Sequence, residues 1–592
     1  MKKGFFSEAF AQSEGFASNK ILENPIFVAL LAILFFIPNL GNVHLFDWDE
    51  INFAESAREM LLTGNYLRVQ IDFQPFWEKP PLFIWLQAAS MSVFGVNEFA
   101  ARFPNAVVGV VTLLTFFYIG KRLFNARFGF LWALAYLGSF TPHLYFKSGI
   151  IDPLFNYFMF LSVWFLYQSV YNSGFKDSEA TQQPTSYITH HTSKLCLLAG
   201  LFAGLAVWTK GPVGVGIPTI VLGVVWAFNS FKPVITLKNL LVYSFTAGII
   251  SLGWVALLIY ESSWQTFLDF VSYLYRLMAT SEADHGEPIY YHFVVVLLGC
   301  FPISVIALKI VVSRWSLVMG SGSVKTQTME QTQTMEQQQL MTKFMLALFW
   351  TVMVVFSLIK TKIVHYSSMA YFPLSFLAAL YLYRWLKGEF QWPRWATVLL
   401  LLIGFLMSAV LTVYPLVCMY PSYFAAYIND DFAMANLQAP IEWAGWEWAI
   451  GVVYFVIIIC ISIVWNKRKL LAVRILFLST AACMWVYTAV VVPKVEGYSQ
   501  RTVIDFYESK RGQDVYVAAI GYKSYAPLFY FRKPLNTRPE ASNENWLING
   551  PVDKPTYLVT RLDRASDYRY NANLELIKEE NGFVFFRRKP VL

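Results

Sequence analysis

Residues 47–81 read DWDEINFAESAREMLLTGNYLRVQIDFQPFWEKPP, and they follow directly on an apolar stretch, 25–45. A connector between two membrane spans is ordinarily short and plain. This one opens on paired acids, Asp49 and Glu50, and closes on Glu78-Lys79-Pro80-Pro81, with aromatics between them. Polar chemistry of this kind, placed where an apolar run has just ended, points to a site at a membrane surface.

The composition around it agrees. The 592 residues are 56% hydrophobic and 14% charged, where soluble domains carry about a quarter charged residues. Mean hydropathy is +0.46, and apolar runs of about 18 residues recur from end to end. The fold class expected is a polytopic α-helical membrane protein. A barrel would show alternation in place of continuous runs. The net charge of +8 is modest and sits largely in loops, so no nucleic-acid partner is expected. The five cysteines lie in or beside apolar runs without CxxC spacing, which reads as packing. The start shows no short apolar core with a cleavage site, so no signal peptide is expected.

Thirteen spans are expected: 25–45, 102–120, 128–146, 153–171, 195–209, 212–229, 239–260, 291–313, 342–360, 365–383, 395–417, 446–465 and 471–492. With residues 1–24 cytoplasmic, behind Lys2, Lys3 and Lys20, the even-numbered connections should be basic. They carry Lys121, Arg122 and Arg127, then Lys176 and Lys194, then Lys232 and Lys238, then Arg314, Lys325 and Lys343, then Arg384, Lys387 and Arg394, and finally Lys467, Arg468 and Lys469. Residues 81–95 are apolar but fall short of the ~20 needed to cross. They are expected to form an interfacial or re-entrant helix within an outer loop, 46–101. Residues 51–62 should form a second helix in the membrane plane, with Phe53, Ala57, Met60 and Leu61 on one side. The low-complexity segment around TQTMEQ, within 314–341, is expected as a flexible cytoplasmic loop, and 173–193 is similarly polar. The transmembrane part thus runs over 25–493. Residues 494–592 turn charged and alternate short strand-like runs at 515–520, 528–531, 556–560, 574–577 and 583–587, with a helix over 499–510. They are expected to form a small extramembrane α/β domain.

This topology gathers polar residues on the outer face: Asp49 and Glu50, Glu78 and Lys79, Lys147 and Asp152, Lys210, Arg276, 282–287, and Lys360, Lys362 and His365. Cations at outer helix ends run against the topogenic bias and need a reason. Several fixed cations can bind a phosphate or pyrophosphate headgroup, and carboxylates beside them can bind a metal or take a proton from a hydroxyl. Plainer roles exist for each. Asp49-Glu50 and Asp152-Pro153 can start helices, Lys79 can snorkel to headgroups, Lys210 can be a turn residue, and His365 can be a structural hydrogen-bonding histidine.

The arrangement resembles the lipid-linked-sugar glycosyltransferases of the GT-C architecture, closest to the bacterial aminoarabinose transferases of lipid A and their relatives the protein O-mannosyltransferases. The residues carrying the resemblance are Asp49-Glu50, Ala57-Arg58-Glu59-Met60, Glu78-Lys79-Pro80-Pro81, Asp152, Thr209-Lys210-Gly211-Pro212, His285 to Pro288 with Tyr290-Tyr291, and Lys362 with His365-Tyr366. The resemblance implies a thirteen-span plan, an inner-membrane location in a bacterium and a periplasmic site. It implies a polyprenyl (undecaprenyl) phosphate sugar donor and a lipid A, glycan or protein acceptor. Asp49, Glu50 and Asp152 become candidate catalytic acids, with Asp49 at the reaction centre. Lys79, Lys210 and Arg276 would hold the donor phosphate, and His285 and Tyr291 would contact substrate. Glu78 and His365 match positions that bind a zinc ion in the aminoarabinose transferases. Where those enzymes commonly show Arg-Tyr after the acidic pair, this chain has Asn52-Phe53, which leaves the sugar and the acceptor open.

The chemistry stands apart from the likeness. A polyprenyl phosphate is a good leaving group, so its sugar can be displaced without a nucleotide cofactor, provided fixed cations stabilise the departing phosphate. Attack on the opposite face of the sugar gives inversion. A lipid or sugar transporter is the alternative function, but it should place its polar features near the bilayer midplane, often in two related halves. Here they gather at one face.

Overall fold

The computed structural model describes residues 24–174, 185–280, 286–313 and 329–590. Each of the thirteen apolar stretches falls on a helix or a pair of helices. Six helices are long and apolar enough to cross a membrane: Glu98–Leu123, His191–Lys210, Leu237–Glu261, Gln333–Leu358, Arg394–Met419 and Lys469–Val490. Several others break where the sequence carries Pro or Gly. The first helix, Pro25–Phe36, stops just before Pro38. Lys147 Nζ donates to the carbonyls of Phe35, Phe36 and Pro38 at 3.3, 3.4 and 2.6 Å, which satisfies that helix end. The stretch 128–146 divides at Gly138 into Ala126–Leu137 and Phe140–Tyr145, and 291–313 divides at Phe301-Pro302 into Tyr291–Gly299 and Ile303–Val312.

Local chemistry sets the helix starts. Asn97 and Asn125 accept from the backbone N–H of Ala100 and Phe128 at 2.8 and 3.1 Å, each satisfying one donor of the first turn. Close packing of the helical hairpin Glu98–Leu123 and Ala126–Leu137 requires Gly129, since a Cβ there would lie 2.3 Å from the Phe117 carbonyl oxygen.

Three sequence expectations are corrected. Residues 329–341 are not loop: a helix runs over Met329–Leu358, because Met, Glu and Gln are good helix formers however repetitive their order. Residues 314–328 lie outside the described residues. Likewise 185–193 belongs to the helix Thr185–Lys210. The run 528–531 is not a strand but part of a helix, Ala526–Phe531, with Pro527 in its first turn and Arg532 closing it in the left-handed region at φ 60°. Strand-favouring side chains over four residues are overridden there by the proline-set start.

The helices Asp49–Thr63 and Leu82–Phe94 lie at one end of the bundle and pack on each other. The first is buried at every position from Glu50 to Met60, not on one side alone, because the C-terminal region covers its other face. That region carries a four-stranded sheet in the order Tyr516–Ala519, Thr556–Arg561, Phe583–Arg588, Glu575–Glu580. Its first pair is parallel and the rest antiparallel. It docks on the first loop through named bonds. Leu45 N–H donates to the Tyr530 hydroxyl at 2.6 Å, Gln500 to the Leu45 carbonyl at 3.0 Å, and Arg532 to the Val96 carbonyl at 3.0 Å. Lys533 is ion-paired with Asp72.

Candidate active site

The fold brings distant polar residues to one cavity of about 710 Å³. Asp49, Glu50, Glu78, Lys79, Asp152, Lys210 and His365 all line it, although they span more than half of the sequence. Four are delivered by element ends, Asp49 and Glu50 by the first turn of Asp49–Thr63, Asp152 by the start of Asp152–Gly174, and Lys210 by the end of Thr185–Lys210, whereas Glu78 and Lys79 lie in the turn that precedes Leu82–Phe94. Gly211, at φ +100°, turns the chain away directly after Lys210.

The acids differ in how far they are committed. Glu50 is buried, and both its oxygens are taken. Oε1 accepts from Arg102 Nε at 2.9 Å and Gly149 N–H at 2.5 Å; Oε2 accepts from an Arg102 terminal nitrogen at 2.7 Å and Phe46 N–H at 3.0 Å. Burial pushes the Glu50 carboxyl up, but the charge and hydrogen bonds of Arg102 outweigh it and hold it below the ordinary value. Arg102 spends its other donors on the carbonyls of Leu40, Val43 and His44. The pair therefore ties the chain between the first helix and Asp49 onto the bundle. Asp152 is also buried and pairs with Lys210 at 2.5 Å. Asp49 is open: its side chain is 38% exposed, and its nearest ionisable partner is His365 Nε2 at 3.9 Å; Glu78 likewise makes no ion pair among the described residues.

The cations follow the same division. Lys210 is fixed by Asp152 and sits 5.2 Å from the centroid of the Tyr366 ring. Lys79 lines the cavity with no carboxylate within salt-bridge distance among the described residues. Lys79 and Lys210 both act electrostatically on Asp152 and His365. Two expected site residues do not line the cavity. Arg276 is exposed near the end of the helix Trp264–Ala279, and that helix sends Tyr273 and Leu277 to the cavity instead. Tyr291 begins the helix Tyr291–Gly299 and is not among the lining residues. His285 lies outside the described residues. Lys362 points elsewhere, donating to the Ile359 carbonyl at 2.9 Å.

The cavity also has residues to which sequence reading assigns no site role: Trp48 and Tyr273, Asn52 and Tyr366 (both named in the family likeness without one), and from the C-terminal region Lys523 and Tyr525. Asn52 is buried, and its Oδ1 has no hydrogen-bond partner. Its spacing of three from Asp49 puts it on the same helix face, which is the signal that could have found it. Nothing in the local sequence marks Lys523.

Glu78 and His365 bring a carboxylate and an imidazole to the same cavity, the donor types zinc accepts. They do not form a ligand set as they stand. Among the described residues, only His44, Asp505 and Glu508 bring three donor atoms within 4.8 Å of one another, and none of these lines the cavity.

Residues 78–178 match the dolichyl-phosphate-mannose-protein mannosyltransferase family, a segment that opens on Glu78-Lys79 and includes Asp152. The chain superposes on the crystal structure of ArnT from Cupriavidus metallidurans bound to undecaprenyl phosphate with a TM-score of 0.71, covering 95% of this chain and 97% of that one at 16% identity. It is thus a helical integral membrane protein with the fold of that structure. In sequence it is similar to the undecaprenyl phosphate-alpha-4-amino-4-deoxy-L-arabinose arabinosyl transferase of Edwardsiella ictaluri, 30% identical over 281 residues, 46% of this chain and 47% of the relative. A second such transferase, from Proteus mirabilis, is 28% identical over 280 residues, 47% of this chain and 48% of the relative. The match spans about half the length of these curated relatives.

Proposed function

We propose that the chain is a membrane glycosyltransferase that moves a sugar from a polyprenyl-phosphate donor to a lipid, glycan or protein acceptor, with inversion. The observation that carries this reading is the single cavity lined by Asp49, Lys79, Lys210 with Asp152, and His365. The likeness to aminoarabinosyl transferases supports a lipid-linked donor. In this reading the thirteen helical stretches cross the bacterial inner membrane, and the cavity and the C-terminal region face the periplasm.

The donor phosphate lies against Lys79 and Lys210. The acceptor oxygen attacks the anomeric carbon from the opposite face, the bond from that carbon to the phosphate oxygen breaks, and its electron pair leaves with the polyprenyl phosphate. Lys79 and Lys210 stabilise that charge as it develops. Asp49 takes the proton of a hydroxyl acceptor, or orients an acceptor that is already ionised. Asp152 acts through Lys210 and is a positioning residue. Glu50, with both oxygens committed, positions Asp49 through its hold on Arg102.

The test is transfer by the purified full-length chain from undecaprenyl-phosphate-linked aminoarabinose, read by mass spectrometry of candidate acceptors. Lys79→Ala should lower the rate about 100-fold or more, the usual cost of removing one preorganised donor from a charge-stabilising site. Turnover unchanged in Lys79→Ala would remove that residue from the site.

A further inference from the structure

One wall of the cavity comes from outside the helical bundle. Lys523 and Tyr525 reach it from the C-terminal region. The Lys523 ammonium lies over two rings at once, 5.0 Å from the centroid of Trp48 and 5.3 Å from that of Tyr525. The two rings meet edge to face at 5.6 Å. An aromatic face attracts and orients a cation without neutralising it. Lys210 is paired with Asp152, whereas Lys523 makes no carboxylate pair among the described residues. The seat is itself anchored. The Asp47 carboxylate accepts from the Ser524 hydroxyl and, at 3.3 Å, from Tyr525 N–H. Asp47 and Trp48 adjoin Asp49 in the chain, so the ammonium is held in register with that acid.

We propose that Lys523 is a specificity contact for the acceptor, binding a phosphate group that the acceptor carries. The inference rests on the transferase reading. Lys79 and Lys210 act together on Asp152 and His365 and form the pole that suits the donor phosphate. Lys523 enters from a different element and gives the cavity a second cationic group, seated on Trp48, the residue before Asp49. A displacement needs donor and acceptor held at separate places with the reacting atoms between them. An ammonium fixed by ring faces keeps its N–H donors available for anionic oxygen, and phosphate is the strong acceptor for such donors.

The experiment measures binding of lipid A carrying both phosphates, and of fully dephosphorylated lipid A, to the purified full-length chain in detergent. Undecaprenyl phosphate serves as the control for the donor pole. The wild type should prefer the phosphorylated form by about tenfold, the worth of one charge-assisted hydrogen bond. The preference should vanish in Lys523→Met and persist in Lys523→Arg, with affinity for undecaprenyl phosphate and Tm unchanged in both. Trp48→Leu, which keeps the charge but removes its seat, should reduce the preference. No preference in the wild type, or a preference that survives Lys523→Met, overturns the proposal. So does loss of undecaprenyl phosphate affinity at unchanged Tm, which would move Lys523 to the donor. A wild type that shows the preference yet transfers no sugar would refute the transferase reading and leave the phosphate contact standing.

Discussion

At the scale of single residues, each acid in the cavity is defined by the partners it already has. Asp49 has one distant neighbour, Asp152 has Lys210, and Glu50 has four donors. Asp49→Asn should therefore leave donor binding intact and slow transfer by about 100-fold or more, the magnitude of a lost general base, as single-turnover kinetics would show. Arg102→Met should act on stability instead. It leaves Glu50 buried without its counter-charge, an imbalance that costs about 3–5 kcal/mol. The double variant Glu50→Gln/Arg102→Met should recover much of the lost Tm. Asn52→Leu replaces a buried amide with an unpartnered oxygen by an apolar side chain of similar size, so it should leave Tm unchanged or higher while impairing transfer. Much of this site could be read from the chain because acids and lysines at apolar-run ends are conspicuous. What could not be read was commitment. Glu50 and Asp49 are adjacent in sequence, and only the approach of Arg102 and Gly149 separates their roles. Lys523 was invisible because charged residues are ordinary in an extramembrane segment.

Among the elements, the helix Asp49–Thr63 carries the most unusual chemistry. Glu55, Arg58 and Glu59 are all buried on it. Arg58 forks onto Glu55 at 2.6 and 2.7 Å, while Glu59 Oε2 accepts from Phe73 N–H at 2.9 Å and its Oε1 has no donor. Burial first, and then the neighbouring Glu55, push the Glu59 carboxyl up to about 9. The folded chain then keeps a proton that the unfolded chain releases above its ordinary value near 4.5. Stability from this group is complete below that value and is lost as pH rises toward 9. Glu59→Gln keeps a neutral group on Phe73 N–H and should flatten the fall of Tm between about pH 5 and pH 9. An unchanged slope would show that Glu59 is ionised in the fold. The helix itself was legible, but its surroundings were not: the pattern of Phe53, Ala57 and Met60 indicated one buried face, and the C-terminal region buries the other. Elements ruled by hydrophobic runs were legible for the same reason that 528–531 was not, since four strand-forming residues say little against a preceding Pro527.

Across the whole molecule, the C-terminal region is part of the site and not an appendage. Asp47 holds Ser524 and Tyr525, Lys533 pairs with Asp72, and His44 Nδ1 lies 2.8 Å from Glu496, which Arg501 also holds. Burial lowers the His44 imidazole, but the Glu496 hydrogen bond and charge outweigh it, and the net direction is upward. Its contribution is therefore full below the ordinary histidine value and fades as pH rises through the higher folded one. The contacts of Asp47, Lys533 and His44 join residues more than 400 positions apart, a separation at which no periodicity or local motif carries information. In the proposed transferase this assembled cavity grips an anionic carrier lipid through Lys79. Titration of the purified chain with undecaprenyl phosphate tests it most directly. Lys79→Ala should weaken binding by at least about tenfold while Asp49→Asn binds as the wild type does. Equal affinity in Lys79→Ala and wild type would contradict it.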